Sequence, residues 1–358
     1  MSVADLLERP QYSILQAEKD VLLLGEMRRL TDHHRCASPE YDSILRALGT
    51  EKQAASIAEV PYLPVSLFKT HLLRSVPEEQ VFKTLTSSGT TGQAVSRITL
   101  DRPTADLQTR ALATIMTTLL GPRRLPMIII DTPNVVRDRR LFSARGAGVL
   151  GMASFGRKHF YALDDDMDLD VSGLERFLME NKGQELLIFG FTFMAWKYLL
   201  EKLRVIEVDL SQATLIHSGG WKRLTDQSVT NSKFKEAFER HTGLTRVHDF
   251  YGMVEQVGGV FLEASDGFLR APNFADVLVR DPLTWRVQAN GEPGVIQVVS
   301  ALPTSYPGHS LLTEDLGVIH GIEASAKRWR GKRIEVIGRV PKAELRGCSD
   351  THAAQVGQ

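Results

Sequence analysis

The spacing of apolar residues changes character twice along this chain. From residue 12 to about 80 it is mostly helical, with Ile14, Val21, Leu22 and the Leu23-Leu24 pair at near-helical intervals before Pro61 and Pro64 interrupt. Next come two short alternating runs, Val81 to Leu85 and Val95 to Leu100, which are predicted strands flanking a Ser/Thr/Gly segment. Asp101 is predicted to cap a helix with Pro103 in its first turn. Leu107, Ala111, Ile115 and Leu119 form its stripe, and Gly121 ends it. Strands are then predicted at Met127–Ile130, Leu186–Phe189, Thr214–Ile216 and Arg246–Val247, separated by helices near 172–181, 193–204 and 225–241. That alternation is expected of parallel strands joined by crossover helices. From 274 onward, short strands at 277–279, 285–287, 295–299, 317–320 and 333–337 follow closely, with turns such as Ala289-Asn290-Gly291. The predicted organisation is a helical segment (1–80), an α/β nucleotide-binding body (81–273), a smaller β-rich lobe (274–337) and a short mobile tail (338–358).

Bulk composition narrows the function classes. With 358 residues, 43% hydrophobic and 24% charged, the chain is an ordinary globular protein able to bury a sizeable core. Lys+Arg and Asp+Glu both number 43, so no nucleic-acid partner is suggested. No apolar run of membrane-spanning length and no signal-like N-terminus occurs. Two cysteines, Cys36 and Cys348, make no disulfide framework, and a reducing cytoplasm is the expected compartment. The acidic run Asp164-Asp165-Asp166-Met167-Asp168 reads as a solvated loop leading into a helix rather than a metal site.

Candidate chemistry centres on Thr86-Ser87-Ser88-Gly89-Thr90-Thr91-Gly92. Hydroxyls supply donors for phosphate, and two glycines let backbone N–H groups approach closely. The segment is not a Walker loop, because the G-x-x-x-x-G-K-[ST] spacing is absent. The alternative is a plain polar hairpin turn. Three further segments sit where functional groups gather in open α/β sheets, or in the β-rich lobe. They are His217-Ser218-Gly219-Gly220-Trp221-Lys222, Asp249-Phe250-Tyr251-Gly252-Met253-Val254-Glu255 and Thr313-Glu314-Asp315. Ile337-Gly338-Arg339 and Leu345-Arg346-Gly347-Cys348 stand near the end.

Together these segments resemble the adenylate-forming superfamily of acyl-CoA synthetases, firefly-type luciferases and nonribosomal adenylation domains. Ser87 to Gly92 is similar to its phosphate loop, Tyr251-Gly252 with Glu255 to its Tyr-Gly-x-x-Glu motif, and Asp315 to its ribose-binding aspartate. Gly338-Arg339 is similar to its hinge motif. A narrower resemblance covers nearly the whole chain. Pro64-Val65-Ser66-Leu67-Phe68-Lys69, Ser87 to Gly92, Phe189-Gly190-Phe191-Thr192-Phe193 and Ser218 to Lys222 resemble the LuxE-type acyl-protein synthetases. In those enzymes, part of bacterial fatty-acid reductase complexes, a fatty acid is activated with ATP and passed through a cysteine thioester. The implied fold is α/β, like the N-terminal body of an adenylate-forming enzyme with a smaller β-rich lobe.

The resemblance implies ATP and Mg²⁺ as cofactors, a fatty acid substrate, and an acyl-reductase subunit as acceptor. It implies Ser87, Ser88, Thr90 and Thr91 on the phosphates, with Gly89 and Gly92 shaping the loop. Glu255 would bind Mg²⁺ as a hard oxygen ligand, Tyr251 and Gly252 with Gly219 and Gly220 would flank adenine, Asp315 would hold ribose, and Arg339 would place a charge nearby. His217 is expected to be a satisfied half-buried histidine, and Phe189–Phe193 with Trp196 to be core. The chain also departs from the superfamily. Ala94-Val95 replaces the usual Pro-Lys after the loop, Glu314 replaces the glycine before the ribose aspartate, and 19 residues follow Arg339 where a full C-terminal domain is usual. Cys348 is expected to serve instead as acyl acceptor, beside Arg346 and Gly347; at roughly 3.3–3.6 Å per residue, nine residues reach up to about 30 Å. Cys36 is assigned a structural role. Lys69, Lys222 and Lys342 stay open as replacements for the absent lysines. Two other functions stay open too: a ligase delivering to coenzyme A or a carrier protein, and an inactive nucleotide-binding scaffold.

Overall fold

A computed structural model describes residues 3–50, 52–87, 95–137, 144–220, 229–323 and 329–340. The chain divides into two compact units, one of residues 1–118, 252–261 and 268–358, the other of residues 119–251 and 262–267.

In the first unit, α1 (Val3–Glu8), α2 (Gln16–Ala37) and α3 (Pro39–Ala47) open the chain. Leu23, Met27, Leu30 and His34 give α2 its buried face at helical spacing, whereas Val21 faces solvent at 72% exposure. Ser38 ends α2, and its hydroxyl accepts from Tyr41 N–H to start α3, with Pro39 in the first turn. A two-residue strand, β1 (Leu63–Pro64), leads to the single turn α4 (Leu67–Thr70). The hairpin β2 (Lys83–Thr86) and β3 (Arg97–Leu100) follows, paired Thr86 with Arg97 at the loop end. Asp101 caps α5 (Arg102–Leu120) as the sequence implied, accepting from Thr104 N–H at 2.8 Å. The buried stripe of α5 runs through Thr104, Gln108, Ala111 and Ile115, so the predicted series was right at Ala111 and Ile115 and rotated elsewhere.

The second unit carries the parallel strands β4 (Leu125–Ile129), β5 (Gly156–Tyr161), β6 (Leu186–Phe191), β7 (Ala213–Ser218) and β8 (Arg246–Tyr251), in the order β5-β4-β6-β7-β8. Between them lie α6 (Asn134–Arg137), α7 (Ala144–Ala153), α8 (Val171–Glu180), α9 (Thr192–Met194), α10 (Glu201–Leu203) and α11 (Asn231–Thr242). A π-helical turn, Ala195–Leu200, joins α9 to α10. Phe189, Met194 and Trp196 are buried, Trp196 in one cluster with Ile188, Leu215, Phe234 and Phe238, and Phe191 and Phe193 pack against that cluster, so these aromatics are core. The acidic run forms a turn, in which Asp164 accepts from the N–H groups of Asp166 and Asp168, and Asp170 caps α8.

The chain then adds β9 (Phe261–Glu263) beside β8. Within the first unit β10 (Leu269–Arg270), β11 (Ala275–Arg280), β12 (Gly294–Ser300), β13 (Ser310–Glu323) and β14 (Gly331–Arg339) complete an antiparallel sheet, with β1 parallel to β13. Residues 285–287 do not form the predicted strand. The Asp281 carboxylate accepts from Leu283 and Thr284 N–H at 2.8 Å each, which folds this segment into a turn, and Trp285 takes φ +60°. No helix among the described residues is long and apolar enough to cross a membrane.

Histidines knit α2 to the sheet of the first unit. His34 Nε2 donates to Pro303 O at 3.1 Å and Nδ1 accepts from Ser75 Oγ at 2.7 Å, while its ring stacks on His309 at 5.0 Å. The Thr31 hydroxyl is spent on Met27 O, so His309 Nε2 donates to Thr31 Oγ1 at 3.0 Å and His309 Nδ1 is left without a partner among the described residues. Both rings are therefore neutral. Burial first, then neighbouring cationic groups, holds His34 well below the ordinary histidine range and His309 down to about 3. Cys36 on the same helix is exposed rather than packed, which corrects the structural role expected of it.

An unfolded chain binds protons at these histidines below about pH 6.5, where the folded chain refuses them. The contribution of these two histidines is complete above that pH and falls by up to about 1.4 kcal/mol per pH unit per histidine below it. Urea unfolding at pH 7.5, 6.0 and 5.0 measures this; His309→Phe should lower the slope by about one proton, and an unchanged slope would contradict the assignment.

Candidate active site

Each unit presents its own set of candidate residues. In the first, β2 and β3 open toward the Ser/Thr/Gly loop, and Ser87 with Ser96 closes its neck. Ser96 N–H donates to Ser87 Oγ at 2.9 Å and Ser87 N–H to Ser96 O at 3.2 Å. Ser88, Gly89, Thr90, Thr91 and Gly92 lie outside the described residues. Ser96 is fully buried, and its hydroxyl meets no hydrogen-bond geometry with a described group.

Glu255 lies in the short turn Val254–Gln256, following Gly252 of the predicted motif, and is 7% exposed. Two bonds fix this turn. Tyr306 OH donates to Glu255 O at 2.9 Å, and Gln256 Nε2 donates to Gly308 O at 2.9 Å. Only glycine fits at 308, because a Cβ there would run into the Tyr306 ring and approach the Glu255 carbonyl at 3.0 Å. Burial, the dominant influence, raises the Glu255 carboxyl above its usual range; the Ser96 hydroxyl and the Lys69 charge oppose this, and Glu314 adds to it.

Asp315 and Arg339, distant in sequence, face each other across β13 and β14, with Arg339 Nε 3.7 Å from Asp315 Oδ1. Thr313 Oγ1 accepts from Asp315 N–H at 3.1 Å and itself donates to Ile296 O at 2.9 Å, which sets the strand end. Lys69 Nζ stands 3.5 Å from Glu314 Oε2. In this unit Lys69, Glu314, Asp315 and Arg339 lie on β13 or on segments bonded to it, whereas the loop neck belongs to the separate β2–β3 hairpin and meets Glu255 through Ser96.

In the second unit the carboxyl ends of β7 and β8 run in register, Ser218 beside Phe250, so Gly219 and Tyr251 emerge on neighbouring strands. Gly219 has φ +83°, a conformation that favours glycine, and a Cβ on Gly220 would meet open space. Trp221 and Lys222 lie outside the described residues. His217 is more buried than expected, at 2% exposure. Its Nδ1 is 3.0 Å from Thr192 Oγ1, and its Nε2 has no partner among the described residues. Burial lowers it to about 3, so it is a neutral ring beside Asp249 rather than half of an ion pair. Asp249 is itself raised, by removal from water first and by Glu263 second.

Glu263 escaped the sequence reading. It is buried in β9, pairs with Lys235, accepts from Asn231 Nδ2 at 2.7 Å, and accepts from Asp249 N–H at 2.8 Å. Its backbone carbonyl takes His248 Nδ1 at 2.9 Å. This carboxylate ties the end of β8, which carries Tyr251, to the start of α11. A charged residue closing the apolar run Val260-Phe261-Leu262 was the available signal.

Among the described residues no group of three or more His, Cys, Asp or Glu could hold a metal by itself. The buried Glu255 carboxylate, with the Ser96 hydroxyl beside it, suits Mg²⁺ nevertheless, because that ion binds through one or two carboxylates plus substrate phosphates and water. A cleft of about 460 Å³ beside Gly49, Lys52, Glu59 and Pro61 contains none of the candidate residues.

Residues 17–356 match the family of acyl-protein synthetases, LuxE. The chain belongs to this family. It is accordingly a ligase of the acid–thiol class. Two relatives named long-chain-fatty-acid–luciferin-component ligase are similar to it. That of Vibrio harveyi is 22% identical over 362 residues, covering 95% of this chain and 89% of the relative. That of Aliivibrio fischeri is 23% identical over 314 residues, covering 82% and 78%. A 2-hydroxyisobutyryl-CoA ligase holding 2-HIB-AMP superposes with TM-score 0.67 at 20% identity, over 92% of this chain and 69% of that one. The same ligase in an open conformation, with 2-HIB-AMP and CoA, gives 0.65 at 20% identity over 92% and 76%. These likenesses establish the adenylate-forming fold expected from the sequence.

Removing Lys235 leaves the buried Glu263 carboxylate short of its countercharge. Lys235→Met should destabilise the chain by about 3 kcal/mol. The double variant Lys235→Met/Glu263→Gln, measured in the same urea titration, should recover part of that loss; additive losses would show that the pair is not coupled.

Proposed function

We propose that this family member activates a carboxylic acid, a fatty acid in the first instance, with ATP and Mg²⁺, and passes the acyl group to its own Cys348. A carboxylate is a poor acyl donor because its oxygen leaves poorly. Attack of that oxygen on the α-phosphorus of ATP forms a new P–O bond as the bond to pyrophosphate breaks. The Cys348 thiolate then attacks the acyl carbon, AMP departs, and a thioester remains. A partner reductase subunit is the expected final acceptor, and the reducing cytoplasm is the expected setting.

The observation that supports this reading is the buried Glu255 carboxyl, which feels the Ser96 hydroxyl of the loop neck, Lys69 and Glu314, with Glu314 next in the strand to the Asp315 that faces Arg339. Asp315 would accept from ribose hydroxyls, and Arg339 would add charge near ribose or phosphate. Tyr251 as one face for adenine, Gly219 and Gly220 as the other, and Gly252 of the same motif are carried over from the resemblance alone. Mg²⁺, held by Glu255, supplies charge neutralisation to the phosphates when bound. The loop residues Ser88, Gly89, Thr90, Thr91 and Gly92, together with Cys348, complete the proposal from sequence.

Incubation with ATP, Mg²⁺ and a panel of radiolabelled acids tests it. Acid-stable, hydroxylamine-labile label on the protein is expected; transfer to coenzyme A or a carrier without such label, or no pyrophosphate exchange with any acid, would contradict it. Cys348→Ser should keep exchange within about twofold and abolish the protein label, and surviving thioester label would move the acceptor elsewhere. Glu255→Ala should cut exchange by roughly a hundredfold or more, the scale of losing a transition-state charge contact. Unchanged exchange would refute its role.

A further inference from the structure

The phosphate loop of this chain has no lysine after Gly92, where Gln93-Ala94-Val95 stand. Among the described residues, Lys69 is the cation that acts on Glu255 and Glu314, and Arg339 stands 3.7 Å from Asp315. A triphosphate entering such surroundings needs a cation placed for it. We propose that Lys69 supplies this charge and is a phosphate-binding residue of the adenylation reaction; the inference rests on the reading of ATP as substrate.

Two independent anchors build the position. The first runs along the backbone. β1 pairs with β13 at Leu63–Leu311 and Pro64–Leu312, Val65 N–H donates to Leu312 O at 2.9 Å, and the next residues of β13 are Thr313, Glu314 and Asp315. The turn carrying Lys69 is thus fastened to the strand that carries the ribose aspartate. The second runs through side chains. Phe68, at 1% exposure, packs edge-on against Tyr306 at 6.1 Å, and the hydroxyl of Tyr306 holds the backbone of Glu255. Lys69 is therefore fixed relative to both the ribose carboxylate and the proposed metal carboxylate by the same packed residues.

Glu314 explains how the lysine stays in place. The pair is loose, at 3.5 Å, with both side chains about one-third exposed (34% and 32%). Such a pair adds little to folding. It also gives way to a doubly charged phosphate oxygen cluster without a large cost. The residue that replaces the usual glycine before Asp315 therefore holds the cation until nucleotide arrives. Lys222 and Lys342, the other candidates, have no described position.

Binding of ATP and of adenosine, each without acid and therefore without turnover, separates a phosphate contact from a structural one. Lys69→Met should weaken ATP roughly 10- to 100-fold, the scale of a charge-assisted hydrogen bond, and leave adenosine within about twofold. Lys69→Arg should restore most ATP affinity, and in pyrophosphate exchange Lys69→Met should raise KM for ATP far more than KM for acid. Equal ATP binding by wild type and Lys69→Met would overturn the proposal, as would parallel loss of adenosine and ATP. Absence of ATP binding and of exchange in the wild type would instead defeat the functional reading beneath it.

Discussion

One buried hydroxyl organises the first unit: Tyr306 OH on the carbonyl of Glu255. A carbonyl removed from water must find a donor, and a phenol removed from water must find an acceptor, or each costs free energy of the order of 1–3 kcal/mol. Their mutual satisfaction lets the turn holding Glu255 sit inside the protein, where its carboxyl is desolvated. Gly308 is required by the same contact, since a side chain there would displace the ring. Phe68 packs edge-on with the same tyrosine at 6.1 Å, so the lysine after it inherits the position. Placement of charge in this protein is thus a consequence of close packing around one aromatic ring.

Desolvated charges elsewhere follow the same rule. Glu263 is buried yet fully engaged, by Lys235, Asn231 and the Asp249 backbone. Asp276 is buried between Lys332 and Gln16, with Lys332 Nζ at 2.6 Å, and its carboxyl is held low by the two nearby lysines against burial. His217 and His309 take the other course and stay neutral. Buried carboxylates with lysine and N–H partners bind strands and helices together, while buried histidines held below their ordinary range pack against aromatic rings.

Much of the fold was legible because apolar period is a local signal. The parallel strands β4 and β6 appear as runs of apolar residues, β7 and β8 show shorter cues at Thr214–Ile216 and Arg246–Val247, and the hairpin around the Ser/Thr/Gly loop appears as alternation. What failed was decided by tertiary contacts. The stripe of α5 is rotated because Thr104 and Gln108 face inward, which their polarity hides. Residues 285–287 carry strand-forming types, but the Asp281 side chain captures the backbone locally. β5, with exposed Lys158 and His159, has too little apolar content to stand out. Among the candidate residues, Glu255 and Asp315 were singled out through motifs, whereas Glu263 and Ser96, whose neighbours are distant in sequence, carried none.

The central claim is that a carboxylate oxygen attacks the α-phosphorus of ATP. Single turnover with ¹⁸O-labelled carboxylate tests it most directly, by mass spectrometry of the phosphorus products. One ¹⁸O in AMP and none in pyrophosphate is the expected result. Label in orthophosphate with ADP as the nucleotide product, or AMP without label, would contradict it.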